Sequence, residues 1–354
     1  MKKILFSVLI YFFFQVCGCS SINEPDNKLN PKEISWSVDT VYYPNSIQTM
    51  MDRIWGSSEN NVYLLGHSDE SRGQFYHLNK NTWEAIPLGG IYGGPINSSF
   101  ELTSIIGFSS DKIFISGYTQ TRLPDNSRMY ESLIVSYNGV SWEIENTPLK
   151  KQLFCIWGDA PNNIWAIGNQ NTMLHYDGSQ WTLDSLDHPG YGSLEISLAG
   201  IFMTGNSANG YYMTLYSVIN GAFFQHLLNL QNNKWTVVDS VWDKINRLWM
   251  SPSGNLYITS NYGVFIWDNG NWYQVFDQIQ TFGIHGTSDE NIYITTRENN
   301  KPGIWHYNGS DWYEYDIGDF WEVHAFFDIK LIGNQIFAVG YGGSPTKTFV
   351  LRGK

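Results

Sequence analysis

The run Ile156-Trp157-Gly158-Asp159-Ala160-Pro161-Asn162-Asn163-Ile164-Trp165-Ala166-Ile167-Gly168 decides the fold. An apolar stretch ends in Gly158, a turn of Asp, Pro and Asn follows, and a second apolar stretch mixes β-branched and aromatic residues as a pleated surface requires. MLHYDG (173–178) supplies a third stretch, and Trp181 opens a fourth. Asp177-Gly178 between the third and fourth is the strongest short-range hairpin signal, because both turn residues need positive φ. The segment predicts four short antiparallel strands.

The same unit recurs along the chain. Ile54-Trp55-Gly56 precedes NNVYLLG (60–66), IIG (105–107) precedes KIFISG (112–117), IHG (284–286) precedes ENIYITT (290–296), and NQIFAVG stands at 334–340. Third runs ending in Asn-Gly or Asp-Gly are LIVSYNG (133–139), VFIWDNG (264–270) and IWHYNG (304–309). The Trp that opens the fourth run appears as Trp36, Trp83, Trp142, Trp181, Trp235, Trp272 and Trp312. These lie on average about 46 residues apart, the period of a four-stranded propeller blade. No segment carries a helical period with caps.

First strands near Ile54, Ile105, Ile156, Ile201, Leu248, Ile284 and Ile329 give seven blades. The last unit, ending in TFVLRG (348–353), has no Trp-led fourth strand, and the strand around Ile34–Val41 has no preceding three. Pairing the two completes blade seven and removes the open edges of the ring. The expected fold is all-β, a seven-bladed β-propeller of four-stranded antiparallel blades closed by the N-terminal strand, over residues 34–354. Blade four, SLAGIFMTGNSANGYYMTLY (197–216), is the least regular, with six or eight blades as the alternatives to seven.

The repeat resembles those of bacterial propeller lipoproteins. Its Gly pair and Tyr…Trp spacing resemble kelch repeats, and the DG-x-x-W turn at Asp177–Trp181 resembles the Asp-box of sialidase-type propellers. That resemblance implies an architecture, while propellers host many unrelated functions.

The chain opens with Lys2 and Lys3, then an apolar stretch from Ile4 to Val16. Thirteen residues are too few to cross a bilayer as a helix and suit a secretory signal core. Val16-Cys17-Gly18-Cys19 resembles the bacterial lipobox, which implies cleavage after Gly18 and lipid on Cys19. An ordinary secretory signal leaving Cys19 as a free thiol is the alternative. Ser20 and Ser21, with no Asp after the Cys, fit export to the outer membrane. The expected organisation is a signal peptide over 1–18, a polar lipidated tether over 19–33, and the propeller. A monomer held at the bacterial cell envelope through its lipid follows, its side of the membrane left open.

With 354 residues, 42% of them hydrophobic, the chain can build a large packed interior. A net charge of −12 excludes general nucleic-acid binding, whose electrostatic term would be repulsive. Three Cys give no disulfide framework. His77, His175 and His306 recur in third strands, and equivalent positions around a ring are too far apart to share a metal, so a structural strand role is expected. The acidic turns at 58–61, 159–162 and 288–291 lack the ligand alternation of a calcium loop. Cys155 lies within an apolar strand and reads as an inert buried thiol. There is no G-x-S-x-G elbow, no Asp-x-Asp pair and no Gly-rich phosphate loop, and Glu314 with Asp316 read as a solvated face. No catalytic residue, metal ligand or cofactor is expected.

Connection lengths point to the binding face. The long segments (66–73, 88–103, 117–131, 187–197, 296–303, 316–324 and 340–347) all join strand two to three or strand four to the next blade, and so emerge around one mouth of the channel. They carry Tyr92, Tyr118, Arg122, Arg128, His188, Tyr191, Arg297, Trp321 and Tyr341, whose rings and guanidinium groups suit stacking on sugars or protein side chains. Covering the blade tops is the alternative role. Trp55, Trp157, Phe202 and Trp249 are expected at one repeat position, packing blade on blade. The expected function is a non-catalytic binding or scaffold module for a glycan or an envelope protein. The alternative is a propeller enzyme acting on carbohydrate, a glycosidase, lyase or glucosyl transferase, with two acids or an acid and a His or Tyr converging at the mouth.

Overall fold

A computed structural model of the chain describes residues 34–354 apart from 149–150, 170–171, 186–200, 220–221, 232–233, 242–244, 269, 278–279 and 321. The signal segment, Cys19 and the tether lie outside the described residues, as do His188, Tyr191 and Trp321. Seven sheets of four antiparallel strands form the ring. Their innermost strands are Thr49–Ser58, Ser99–Ser109, Leu153–Ala160, Met203–Asn206, Ile245–Met250, Thr281–Ser288 and Val323–Ile332, heading blades one to seven. Blade four is thus an ordinary member of the ring, and the count of seven holds. No helix among the described residues is long and apolar enough to cross a membrane.

Closure follows the expectation from the sequence. The N-terminal strand Trp36–Val41 lies antiparallel to Lys347–Gly353, pairing Val38 with Leu351 and Thr40 with Phe349. Ser35 and Lys354 exchange backbone hydrogen bonds of 2.9 and 3.0 Å beyond the strand ends. Asp39 fastens the seam on both sides: Oδ1 accepts from Arg352 Nη2 at 3.0 Å within blade seven, and Oδ2 from Trp83 Nε1 of blade one at 2.9 Å.

The recurring Trp of the fourth strand has a structural cause. Trp83, Trp272 and Trp312 each donate their indole N–H to the outer strand of the preceding blade, at Asp39, Asp239 and the Val275 carbonyl. The apolar core fills the spaces between blades; Met51, Ile54 and Leu64 of blade one meet Phe337, Val339 and Val350 of blade seven in one such cluster.

Buried polar side chains stitch the blades near the axis. Gln74 Nε2 donates to the Phe100 carbonyl while its Oε1 accepts from Leu102 N, and Gln225 grips Ile245 through both atoms in the same way. Thr103, Thr259, Thr295 and Thr348 each donate to a carbonyl of the next blade's first strand. Left unpaired, those buried backbone groups would each cost about 1–3 kcal/mol.

Candidate binding site at the channel mouth

Six of the seven innermost strands carry a β-bulge at one place, before the residue that enters the channel. The extra residue is Asp52, Thr103, Phe154, Asn246 or Phe327, and blade six bulges at Phe282-Gly283. A bulge leaves a residue out of the ladder and turns its neighbours. Just beyond it stand Arg53, Ser104, Cys155, Arg247 and Asp328, with Gly283 and Phe202 at the matching positions of blades six and four. These residues, apart from Gly283, border a channel of about 470 Å³ lined by all seven blades.

Phe202 therefore does not share the register of Trp55, Trp157 and Trp249, as the sequence pattern suggested; Thr204 occupies that position in blade four. The three Trp do pack between blades. Trp55 lies over Gly107 of blade two and Trp249 over Gly286 of blade six, where a Cβ would meet the Trp ring at 2.2 and 3.0 Å.

Three cations face two carboxylates in and above the channel. Arg53 Nη1 donates to Asp52 Oδ2 at 3.0 Å and to the Asp52 carbonyl at 3.1 Å. Lys330 Nζ lies 3.7 Å from Asp328 Oδ1. Asp328 is 6% exposed, and its oxygens also accept from Ile54 N and Ile329 N. Arg247 repeats the pose of Arg53, with Nη1 donating to the Asn246 carbonyl at 3.0 Å and its plane 4.5 Å over the Phe202 ring. The bulge residue beside it, however, is an amide.

Burial governs the ionisation of these groups. Removal from water, then the like charge of Arg53, lowers the Arg247 pKa to about 10, which leaves it charged at neutral pH. Burial and the Lys330 charge push His285 down to about 3, so it stays neutral, and its Nδ1 accepts from Leu331 N at 3.2 Å. The Cys155 thiol is pushed up to about 11 by burial despite the pull of Arg53 and Arg247, so it is protonated at neutral pH.

Above the charges sits an aromatic cluster. Phe327 stacks on Tyr341 at 4.6 Å, Phe282 meets Phe327 edge-on at 5.6 Å, and the exposed His324 approaches Tyr341 edge-on at 6.4 Å. Burial first, then the charge of Asp52, raises the Tyr341 pKa. The charges of Asp328 and Asp52 bear on His285 and Tyr341 respectively. Asp52 and Asp328 are held in ion pairs with Arg53 and Lys330, and His285 is neutral.

Of the residues expected to line the mouth, Tyr341 is the one in this cluster. Tyr92 is exposed in a short 3-10 turn, where Arg72 lies 4.4 Å over its ring and 5.0 Å over that of Tyr43. Tyr118 is half-buried against Tyr130 and Phe154. Arg122 and Arg128 face each other near the end of a hairpin, and Arg297 pairs with Pro302 beside the two-residue turn Asn299-Asn300. The segments 117–131 and 296–303 therefore continue their sheets where loops were expected, because cross-strand pairing extends almost to the turn.

His77, His175 and His306 share one role. Each donates from Nε2 to an Asn on strand two (Asn61, Asn163 and Asn291) at 2.7–2.8 Å and stacks against Tyr63, Trp165 or Tyr293. That Asn reaches on to the turn at Ser57, Asp159 or Thr287. No cluster of three metal-ligating side chains occurs among the described residues. Sequence reasoning missed the channel charges, whose signal was Asp52-Arg53, Asn246-Arg247 and Asp328-Ile329-Lys330 within three of the seven first strands.

No family model matches the chain, and no curated protein matches its sequence. Among solved structures it is similar to YCF48 bound to D1 peptide, with a TM-score of 0.60 at 14% identity over 92% of this chain and 96% of that one. YCF48 from Cyanidioschyzon merolae follows at 0.57 and 12%, over 89% and 98%. The extracellular domain of a putative one-component system from B. thetaiotaomicron scores 0.58 at 13% identity, over 88% of this chain and 39% of that one. At such identities the likeness is one of fold: the chain is a propeller of the kind found in these proteins.

Proposed function

We propose that this chain is a lipid-anchored protein of the bacterial cell envelope whose propeller binds a segment of a protein partner at the channel mouth. The observation that carries this reading is the Phe282–Phe327–Tyr341 cluster set directly above charged groups in an otherwise acidic protein. Phe327 and Tyr341 stack on each other, so their faces are partly consumed, which suits apolar side chains better than the flat approach of a sugar ring. One of the solved structures similar to this one is YCF48 bound to D1 peptide, which supports the same direction. The anchor rests on the lipobox at Cys19.

A photo-crosslinking amino acid placed at His324 in living cells tests the proposal, with Asp111, exposed on a turn between strands one and two, as control. A discrete protein adduct from position 324 and none from 111 is the expected result. Adducts from 111 alone, or equal adducts from both, would refute a mouth-specific partner. Loss of palmitate labelling in Cys19→Ala tests the anchor.

A further inference from the structure

Arg53 and Arg247 occupy the same register position of two innermost strands, and each donates Nη1 to the carbonyl of its own bulge residue. Their neighbours differ in one respect. Asp52 gives Arg53 a carboxylate, whereas the matching Asn246 points its amide away, to the Thr281 carbonyl at 2.7 Å. Among the described residues no carboxylate lies within ion-pairing distance of Arg247. A half-buried guanidinium on which the carboxylates of Asp328 and Asp52 act only from beyond ion-pairing distance is costly, and three cations set against two carboxylates are complementary to one further negative charge.

We propose that the channel is a binding site for a single carboxylate, seated on Arg247 with Arg53 close enough to share its charge. This deepens the mouth-binding reading and rests on it: the carboxylate leads the bound protein segment past Phe327 and Tyr341 into the channel. Three features select the group. Phe202 beneath the guanidinium face fixes its plane, so its free N–H edge is presented to an in-plane, two-oxygen acceptor. Asp328 lines the same channel and repels a dianion such as phosphate more strongly than a single carboxylate. The net charge of −12 disfavours free anions at the outer surface, so a carboxylate delivered by contacts at the mouth is favoured over one arriving alone. The carboxylate is either the chain terminus or an acidic side chain of the segment.

The test is calorimetric titration of the full chain with three probes: acetyl-Ala-Phe bearing a free carboxylate, its C-terminal amide, and acetyl-Asp-Phe amide. Binding of the acid at least about tenfold tighter than the first amide is expected, given the strength of charge-assisted hydrogen bonds. The third probe separates the sources: binding like the acid assigns a side-chain carboxylate, and binding like the amide assigns a chain terminus. Arg247→Met, which keeps the stem over Phe202, should bring the acid probe down to the level of its amide. Asn246→Asp, which gives Arg247 an internal counter-ion as Asp52 does for Arg53, should do the same. Thermal melting confirms that each variant folds. Equal binding of acid and amide by the wild type, no binding of any probe at millimolar concentration, or undiminished acid binding by folded Arg247→Met would overturn the proposal. Adducts at position 324 that persist in Arg247→Met while acid binding is absent from the wild type would remove the carboxylate site and leave the mouth reading standing.

Discussion

Replacing Asp39 by Ala should loosen the ring at its seam. The carboxylate ties the N-terminal strand through side chains to Arg352 of its own blade seven and to Trp83 of blade one. Removing one partner of a buried ion pair costs about 3–5 kcal/mol. Here the two side chains are 16% and 20% exposed, so water recovers part of the loss, while the Trp83 indole N–H loses its acceptor as well. A destabilisation of about 2–4 kcal/mol results. With an unfolding entropy of about 2.1 cal/mol/K per residue, a domain of this size loses about 0.7 kcal/mol per degree near its midpoint, so Tm should fall by about 3–6 °C. Because Arg352 Nε has no partner even in the intact pair, the double variant Asp39→Ala/Arg352→Met should regain part of the stability by discarding the stranded charge. Amide exchange by mass spectrometry locates the effect: residues 36–41 and 348–353 should exchange faster, with blade five unchanged. A Tm within about 1 °C of wild type, or faster exchange that begins in blade five, would refute the seam as the weak point.

Acid should weaken the fold through His285. Its folded pKa of about 3 lies below the ordinary value near 6.5, so between those limits the unfolded chain binds a proton that the folded chain does not, and stability falls as pH falls. At pH 5 the loss is about 2 kcal/mol relative to pH 8, and urea unfolding of His285→Asn should show a correspondingly flatter pH dependence than wild type. Gly178→Val should cost about 2 kcal/mol or more, since φ is +98° and a Cβ would meet that of Asn162 at 2.7 Å; an unchanged denaturant midpoint would argue against the turn.

What the sequence discloses is whatever repeats. The Trp of the fourth strand, the Gly of the hairpin and the His of the third strand each do one mechanical job in several blades, so their spacing announces strands, turns and blade number. Terminal pairing was legible for a related reason: one unit lacked a fourth strand and another segment was only a fourth strand. The bulges were not legible, since one extra residue in a ladder changes no periodicity a reader can count. That single residue decides whether Asp52 or Arg53 faces the channel. Long segments at 117–131 and 296–303 misled because length alone does not distinguish a loop from an extended hairpin, and Arg122, Arg128 and Arg297 were assigned to loops on that ground.

Departure from the repeat then becomes informative about function. The fold imposes sevenfold demands on the space between blades and meets them with similar residues, such as the Thr and Gln side chains that grip the next blade. The channel position after the bulge carries such a load in some blades only: Asp328 accepts from Ile54 N and Ser104 donates to the Ile156 carbonyl, each reaching the next blade, whereas Arg53 and Arg247 hydrogen-bond within their own strands. If it served packing alone, small apolar residues would satisfy all seven blades at least cost. Instead it holds Arg, Ser, Cys, Phe, Arg, Gly and Asp in ring order, with two charged residues accompanied by a counter-ion and one without. Buried charge is destabilising unless compensated. Its presence at one asymmetric point of a pseudo-symmetric ring is therefore a cost that the Asn246 carbonyl, the Phe202 ring and the more distant charges of Asp328 and Asp52 offset only in part, and a bound carboxylate would supply the contact ion pair that Arg247 lacks.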